Sequence, residues 1–153
     1  MTPRPLALVV SLALFSSAAL AQQNSRAPVC NCSAQQCLPY EREVALVGRL
    51  AHTQGTDANG RRERFVIITA ERSVCGQRTS PTAPDVGDFD LDEPDQTELQ
   101  LHTPEPSVRA QIDRLARAGT RVDLRGRVWH AHTAHHHRAL LFTVTSVTPT
   151  PSR

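Results

Sequence analysis

The sequence contains 153 residues, with a formal net charge of +2 at pH 7 and 4% aromatic residues. A chain so close to neutral creates no overall field that would attract nucleic acid, and it offers few rings on which bases could stack. The composition therefore disfavours nucleic acid as a partner.

The N-terminal residues 1–21 have the three parts of a secretory signal peptide. Arg4 supplies the positive charge, Leu6–Phe15 form an apolar run, and small residues occur at Ala19 and Ala21. The apolar run is shorter than the roughly 20 residues that a membrane-spanning helix requires. We expect cleavage after Ala21 and a secreted or periplasmic product that has no transmembrane segment after cleavage.

Residues 22–36 are polar and show no apolar periodicity, which predicts a flexible N-terminal arm. We expect ordered structure to begin near Tyr40. The four cysteines of the chain occur at positions 30, 32, 37 and 75. An even number of cysteines in an exported protein favours disulfides, but four cysteines allow three pairings and their spacing does not choose among them.

Alternating apolar residues predict five strands within one domain that covers residues 37–148, followed by a frayed tail at 149–153. Turn-forming residues separate the first two strands, and a loop rich in proline, aspartate and glycine precedes the third. The five predicted strands cover residues 44–52, 65–69, 97–101, 121–128 and 140–144.

A single helix is predicted between the third and fourth strands. Thr103 and Pro104 are typical of a helix start, because a side-chain oxygen can cap the first turn and proline fits at its first position. Apolar side chains recur at helical spacing over Val108–Leu115 and would form one face of the helix. Gly119 is placed to end the helix in a left-handed conformation.

The order strand, strand, strand, helix, strand, strand is that of the OB-fold, a five-stranded Greek-key barrel. Two glycines, Gly48 and Gly126, fall in the middle of strands, where glycine normally weakens pairing. A strand of a small barrel must bend in order to pair on both sides, and glycine permits the bend. We therefore predict a mainly β, OB-fold-like barrel with one α-helix and a structural role for both glycines, with incidental small residues as the alternative.

Five histidines occur together in the turn between the fourth and fifth predicted strands: His130, His132, His135, His136 and His137. Neutral imidazoles at such close range are good ligands for zinc or copper. The strand pattern places the first two on one face, and the turn brings the others back beside them. The alternatives are a structural role in closing the turn, a pH-sensitive cluster, and a site for another ligand. No carboxylate is close in sequence.

Three other patterns are compatible with ligands but fit them less well. Asp88–Glu93 alternates aspartates as calcium loops do, yet it lacks the glycine and glutamate of such a loop at the required positions. Cys30–Cys37 has thiols that a soft metal would accept, although export favours their oxidation. Arg61, Arg62 and Arg64 could meet phosphate or an anionic glycan, but a solvated turn is the simpler interpretation.

A family likeness rests on four segments, of which the last is the most specific: Cys37–Leu50, Ser73–Gly76, Glu98–Leu101 and Gly126–His137. Together they resemble the bacterial family named domain of unknown function 4431, over about Cys37 to Val147. The resemblance implies an exported OB-like domain with a bridge between Cys37 and Cys75. Cys30 and Cys32 lie outside its motif. The resemblance implies no activity or substrate.

The sequence favours a non-enzymatic binding or accessory module, whose ligand would be a protein, a glycan or a small molecule. In OB-folds the connection between strands 4 and 5 borders the usual binding face, so the histidine turn would belong to that face. The alternative is a protein that binds zinc or copper through His130–His137, and a metal-dependent hydrolase is the third hypothesis. No serine or cysteine nucleophile has an identifiable base in the sequence, so no catalytic residue is predicted.

Overall fold

The computed structural model describes residues 30–40, 42–77, 92–133 and 135–151. These residues form a mainly β structure with one helix, as predicted. Within these ranges, that helix lacks the length and apolar character needed to cross a membrane. The elements are β1 (Gln36–Pro39), β2 (Glu43–Thr56), β3 (Arg62–Gln77), β4 (Glu93–His102), α1 (Pro106–Arg117), β5 (Arg121–His130) and β6 (Leu140–Pro149).

Two predicted segments lie largely or wholly outside the described residues. The signal peptide over 1–21 is one of them, together with the part of the predicted arm at 22–29. The other is the acidic loop, in which residues 78–91 include most of the segment considered for calcium. Export and calcium binding therefore stay predictions from the sequence.

Five of the strands are joined by backbone pairing into a ring. β3 pairs with β2, β2 with β5, and β5 with β6, all antiparallel. The parallel pairing of β6 with β4 and the antiparallel pairing of β4 with β3 complete the ring. Helix α1 lies between β4 and β5 in the chain, which is the predicted position.

The predicted number of five strands is wrong, because a sixth strand, β1, begins at the last residue of the predicted flexible arm and ends just before Tyr40, near which ordered structure was expected to begin. β1 pairs in parallel with the end of β3. Gln35 is 6% exposed, and the side-chain amide of Gln36 donates a hydrogen bond of 2.7 Å to the carbonyl of Ala45. Residues 30–36 are thus part of the folded domain. A four-residue strand is too short to show the periodicity from which the longer strands were predicted.

The predicted bridge between Cys37 and Cys75 is also wrong. Cys30 forms a disulfide with Cys75, and Cys32 forms one with Cys37. Cys37 and Cys75 do lie opposite each other in the pairing of β1 with β3. However, the backbone amides of residues 34 and 35 both bond to the carbonyl of Asn31, and this turn returns the chain toward β1. The chain thus brings Cys30 beside Cys75 and Cys32 beside Cys37, with Cα–Cα distances of 5.6 and 5.4 Å.

Three further boundaries differ from those predicted. The second predicted strand is much longer, because β3 continues through the exposed, charged Glu71 and Arg72. The tail is ordered at its start, since β6 reaches Pro149 and the amide of Thr150 donates to the carbonyl of Arg121 at 2.9 Å. The helix begins at Pro106 rather than near residue 103, because a proline holds the residue before it in an extended conformation.

The end of the helix and its buried face are as predicted. Gly119 has a φ of 60°, the left-handed conformation that ends helices most readily when the residue is glycine. Ile112 is fully buried, and the partly buried Val108 and Leu115 pack beside it against the core. The largest fully buried side chains are Phe142, Leu38, Leu46, Leu50, Ile68, Leu99, Ile112, Leu124 and Leu140.

Close strand approach explains both glycines singled out in the sequence. A Cβ atom at Gly48 would collide with the carbonyl oxygen of Thr69, and one at Gly126 would collide with that of Thr143. β2 pairs with β3 and with β5 at Gly48, and the register of β5 with β6 shifts just before Gly126. A larger residue at either position would force the paired strands apart.

Candidate functional site

The connection between β5 and β6, residues 131–139, contains four of the five clustered histidines and is called the histidine loop below. Its neck is closed by the amide of Ala131, which donates to the carbonyl of Ala139 at 2.9 Å. Gln100 on β4 holds its middle. The side chain of Gln100 accepts a 2.7 Å hydrogen bond from the amide of His137 and donates one of 3.1 Å to the carbonyl of His135. The loop is therefore closed at its neck and fastened to β4 by two hydrogen bonds.

Two histidines of the loop lie on either side of one carboxylate. Nδ1 of His135 donates to Oε1 of Glu63 at 2.9 Å, and Nε2 of His137 donates to Oε2 of the same group at 3.2 Å. Asp57, in the turn that joins β2 to β3, completes the group. One ligand atom each from Asp57, Glu63 and His135 lie within 4.8 Å of one another. We call these four residues the carboxylate–imidazole cluster.

The turn geometry stabilises the ionised form of Asp57. Its Oδ1 accepts hydrogen bonds of 2.8 Å from the backbone amides of Asn59 and Arg61. The bond from Arg61 is the main reason that the pKa of Asp57 is lowered, and the nearby His135 acts in the same direction. An ionised carboxylate with one oxygen held by the turn has its other oxygen available for a cation.

The position of His137 depends on a glycine in β2. Gly55 pairs with Glu63, and a Cβ atom at residue 55 would lie within 2.8 Å of three atoms of the His137 ring. The ring also stacks on Phe65, with ring centroids 4.6 Å apart and an interplanar angle of 14°. The side chain of His137 is only 11% exposed. This packing fixes the ring beside the Glu63 carboxylate.

Two other histidines of the loop surround a tryptophan instead of a carboxylate. The ring of Trp129 lies 5.3 Å from that of His132 and 5.0 Å from that of His136, measured between centroids. The edge of Trp129 also meets His102 of β4 at 6.1 Å. The indole N–H donates to Thr143 Oγ1 at 2.8 Å. We call Trp129, His132 and His136 the indole–imidazole cluster.

Backbone amides occupy one ring nitrogen of His136. Its Nδ1 accepts hydrogen bonds from the amides of His132 at 2.9 Å and Thr133 at 3.1 Å. The neutral ring must then carry its proton on Nε2. Burial lowers the pKa of His136, and the nearby His132 lowers it further. His136 is thus disfavoured as a cation, and its Nδ1 is not open to a metal.

The last of the five histidines is separate from both clusters. Nε2 of His130 donates to Oε1 of Glu93 at 2.7 Å. Its Nδ1 is buried and has no hydrogen-bond partner among the described residues. The structure therefore divides the five predicted ligands among three surroundings and does not bring their nitrogens to one point.

Sequence reasoning missed Asp57 and Glu63, the two carboxylates of the site. Glu63 is 72 positions away from His135, so no local pattern connects them. The turn after β2 was predicted, but neither Asp57 within it nor Glu63 just after it was considered as a ligand. The predicted fold could have indicated these carboxylates. In an OB-fold the connections of strands 1–2 and 4–5 both border the binding face, so the turn that contains Asp57 is expected to lie near the histidine loop.

Residues 98–148 match the model of a family described as Domain of unknown function (DUF4431). The match confirms the resemblance and includes two of the four segments on which it rested, Glu98–Leu101 and Gly126–His137. The segments Cys37–Leu50 and Ser73–Gly76 lie before the matched residues. Neither the curated proteins nor the solved structures gave a match to the chain.

Proposed function

Because residues 98–148 belong to the family of Domain of unknown function (DUF4431), whose description names no activity, we propose a function from the site alone. The protein is an exported binding domain that holds a divalent transition-metal ion in the carboxylate–imidazole cluster. Zinc is the first candidate for this ion. The observation that carries the proposal is the approach of Asp57, Glu63 and His135 to within 4.8 Å. We propose no catalytic step.

The donor set agrees with zinc. Carboxylate oxygens and imidazole nitrogens are both ordinary zinc ligands, and three protein ligands leave a fourth position open. The ligand atoms of a tetrahedral zinc ion are about 3.3 Å apart, so shifts of roughly 1 Å would close the set. His135 can supply such a shift because its side chain is 63% exposed. Copper is the second candidate, since imidazole also suits it.

The open position gives the metal a role in binding. A carboxylate, imidazole or carbonyl of a partner could occupy the fourth site of an ion held by Asp57, Glu63 and His135. His137 would act as a positioning residue, because it holds the second oxygen of Glu63 at 3.2 Å. Groups that orient a ligating side chain in this way commonly change metal affinity when they are removed.

Export and an OB-like barrel belong to the same proposal. The ring of paired strands β2 to β6, with α1 between β4 and β5, supports the barrel. The two disulfides support an oxidising compartment, since cysteines of cytosolic proteins are normally reduced. Mass measurement of the protein recovered from the periplasm or medium tests export, and we expect a chain that begins at Gln22. A full-length product retained in the cytoplasm would contradict it.

Zinc titration of the untagged, oxidised protein against a fluorescent chelator tests the metal site. At pH 7.5 we expect one zinc ion per chain. Glu63→Gln should weaken zinc at least tenfold, because the amide keeps the shape but loses the charge that attracts the ion. Zinc binding should weaken as the pH falls, because a protonated imidazole cannot ligate the ion.

Glu98→Gln is the matched control for this substitution. Glu98 on β4 is exposed to a similar extent as Glu63, 38% against 36%, but it bonds to Arg138 at 2.8 Å and lies outside the cluster. The control should bind zinc as the unchanged protein does. Absence of zinc binding at neutral pH would refute the proposal, as would equal affinities of the two variants. In that case a lower Tm of Glu63→Gln would assign the cluster a structural role.

A further inference from the structure

A cavity of about 500 Å³ opens on the side of the domain where α1 packs against the strands. Its volume falls within the usual range of small-molecule sites, about 300–1,000 Å³. Residues of β2, β3, β4 and α1 line it, and Asp57, Glu63 and His135 are not among them. The cavity therefore shares none of the three proposed metal ligands, although Phe65 in its lining stacks on His137.

Positive charge predominates in the lining of this cavity. Three arginines contribute to it, Arg64 from β3, Arg117 from the end of α1, and Arg109 from its beginning. The one carboxylate in the lining is Asp113, and it faces Nε2 of His52 at 3.9 Å. The arginines are thus not neutralised from within the cavity.

Two of the arginines are available to a ligand. Neither Arg64 nor Arg117 forms a side-chain hydrogen bond or ion pair with any other residue in the described ranges. Arg109 is held in place, because its Nε and Nη2 donate to the carbonyl of Thr103 at 3.0 and 2.8 Å. A guanidinium has five N–H donors in a fixed plane, so these two bonds leave others for an oxyanion.

The cavity also has apolar residues in its lining. Phe65 and Val66 of β3 are partly buried and supply the accessible apolar surface, while Leu101 and Ile112 are buried. An oxyanion alone would leave this surface in contact with water, whereas a ring or short chain attached to the oxyanion would cover it. A ligand that matches both the arginines and the apolar side chains of the cavity must therefore carry an oxyanion and an apolar group.

We propose that this cavity binds a small organic anion, namely an oxyanion carried on an apolar body about the size of an aromatic ring system. Arg64 and Arg117 contact the oxyanion, Arg109 adds a pre-oriented donor, and the apolar body lies on Phe65 and Val66. The shared chemistry is that of carboxylates and phosphate monoesters, both of which match the planar donors of arginine.

The test uses 1-naphthyl phosphate as the probe, with 1-naphthol and inorganic phosphate as its two halves. Isothermal titration of the untagged, oxidised protein should show 1-naphthyl phosphate binding at least tenfold more tightly than either half. Arg117→Ala and Arg64→Ala should each weaken it about tenfold, since each removes charge-assisted hydrogen bonds. The melting temperature of each variant establishes that it is folded.

Each substitution has a control on its own element. Arg114 also lies in the last turn of α1, and Arg62 also lies on β3, but neither lines the cavity. Arg114→Ala and Arg62→Ala should leave the affinity unchanged. If 1-naphthol bound as tightly as 1-naphthyl phosphate, the cavity would recognise only the apolar ring and the proposal would be wrong. Unchanged affinity for 1-naphthyl phosphate in Arg64→Ala and Arg117→Ala would also overturn it. Glu63→Gln should not alter the binding of this probe, so the cavity and the metal site fail or succeed separately.

Discussion

Two pairs of histidines from one loop lie in opposite surroundings. His135 and His137 stand on either side of the Glu63 carboxylate, whereas His132 and His136 lie against the ring of Trp129. The first pair faces negative charge, which suits a bound cation. The second pair lies against an indole ring, and backbone N–H groups occupy Nδ1 of His136. The ability of each histidine to bind a metal therefore depends on which side chain of the adjacent strands lies beside its ring.

The largest expected effect is on metal affinity and compares one histidine from each pair. His135→Ala should weaken zinc binding about tenfold to a hundredfold, because it removes a ligand of the proposed set. His137→Ala should have a smaller effect, since His137 only orients Glu63. His132→Ala should leave the affinity unchanged, and competition with a fluorescent chelator measures all three. If His132→Ala weakened zinc as much as His135→Ala, the two pairs would form one site and the comparison would be wrong.

The next effect concerns how tightly the first pair is packed. Gly55→Ala would place a Cβ atom against the ring of His137, which cannot move away because it stacks on Phe65. Overpacking of this kind typically costs about 1–3 kcal/mol. The free energy of unfolding in urea should fall by such an amount.

Removal of the ring gives the control for this prediction. In the His137→Ala background, Gly55→Ala should cost much less, because the space left by the ring accepts the new methyl group. Additive effects of the two substitutions would show that the ring is not held against Gly55. His132→Ala offers no such relief, so the double variant with Gly55→Ala should show the full loss.

The sequence was sufficient for the main strands because their apolar residues alternate over many positions. The pattern at 121–128 predicted β5, whose residues Val122, Leu124 and Val128 are all fully buried. β1 could not be predicted in the same way. Its four residues are held by pairing with β3 and by two disulfides, which are tertiary contacts that local periodicity does not report.

The same distinction explains the partial success at the site. A run of histidines is visible in the sequence, and the structure places the loop that carries them beside Asp57 and Glu63. Which ring meets a carboxylate depends on the pairing of Gly55 with Glu63 and on the bonds that Gln100 makes to the loop. These contacts join residues that are far apart in the chain. The sequence alone therefore predicts that the histidines cluster, but it does not predict which of them lie beside a carboxylate.

The smallest expected effect is the pH dependence of the second pair. The pKa of His136 in the folded protein is below its unfolded value of about 6.5. Between those two values the unfolded chain binds more protons, so the contribution of His136 to stability is complete above about pH 6.5 and is lost as the pH falls toward the lowered pKa.

A conservative substitution isolates that contribution. The side-chain oxygen of His136→Asn can accept the amide bonds of His132 and Thr133 without taking up a proton. Thermal melting from pH 7.5 to 5.0 should therefore show a shallower loss of Tm for His136→Asn than for the unchanged protein, with the other histidines present in both. The difference should be smaller than the effects of the preceding variants, because the ring is only partly buried. Parallel Tm profiles for the two proteins would mean that His136 accepts a proton as readily when folded as when unfolded, which would remove the contrast between the two pairs.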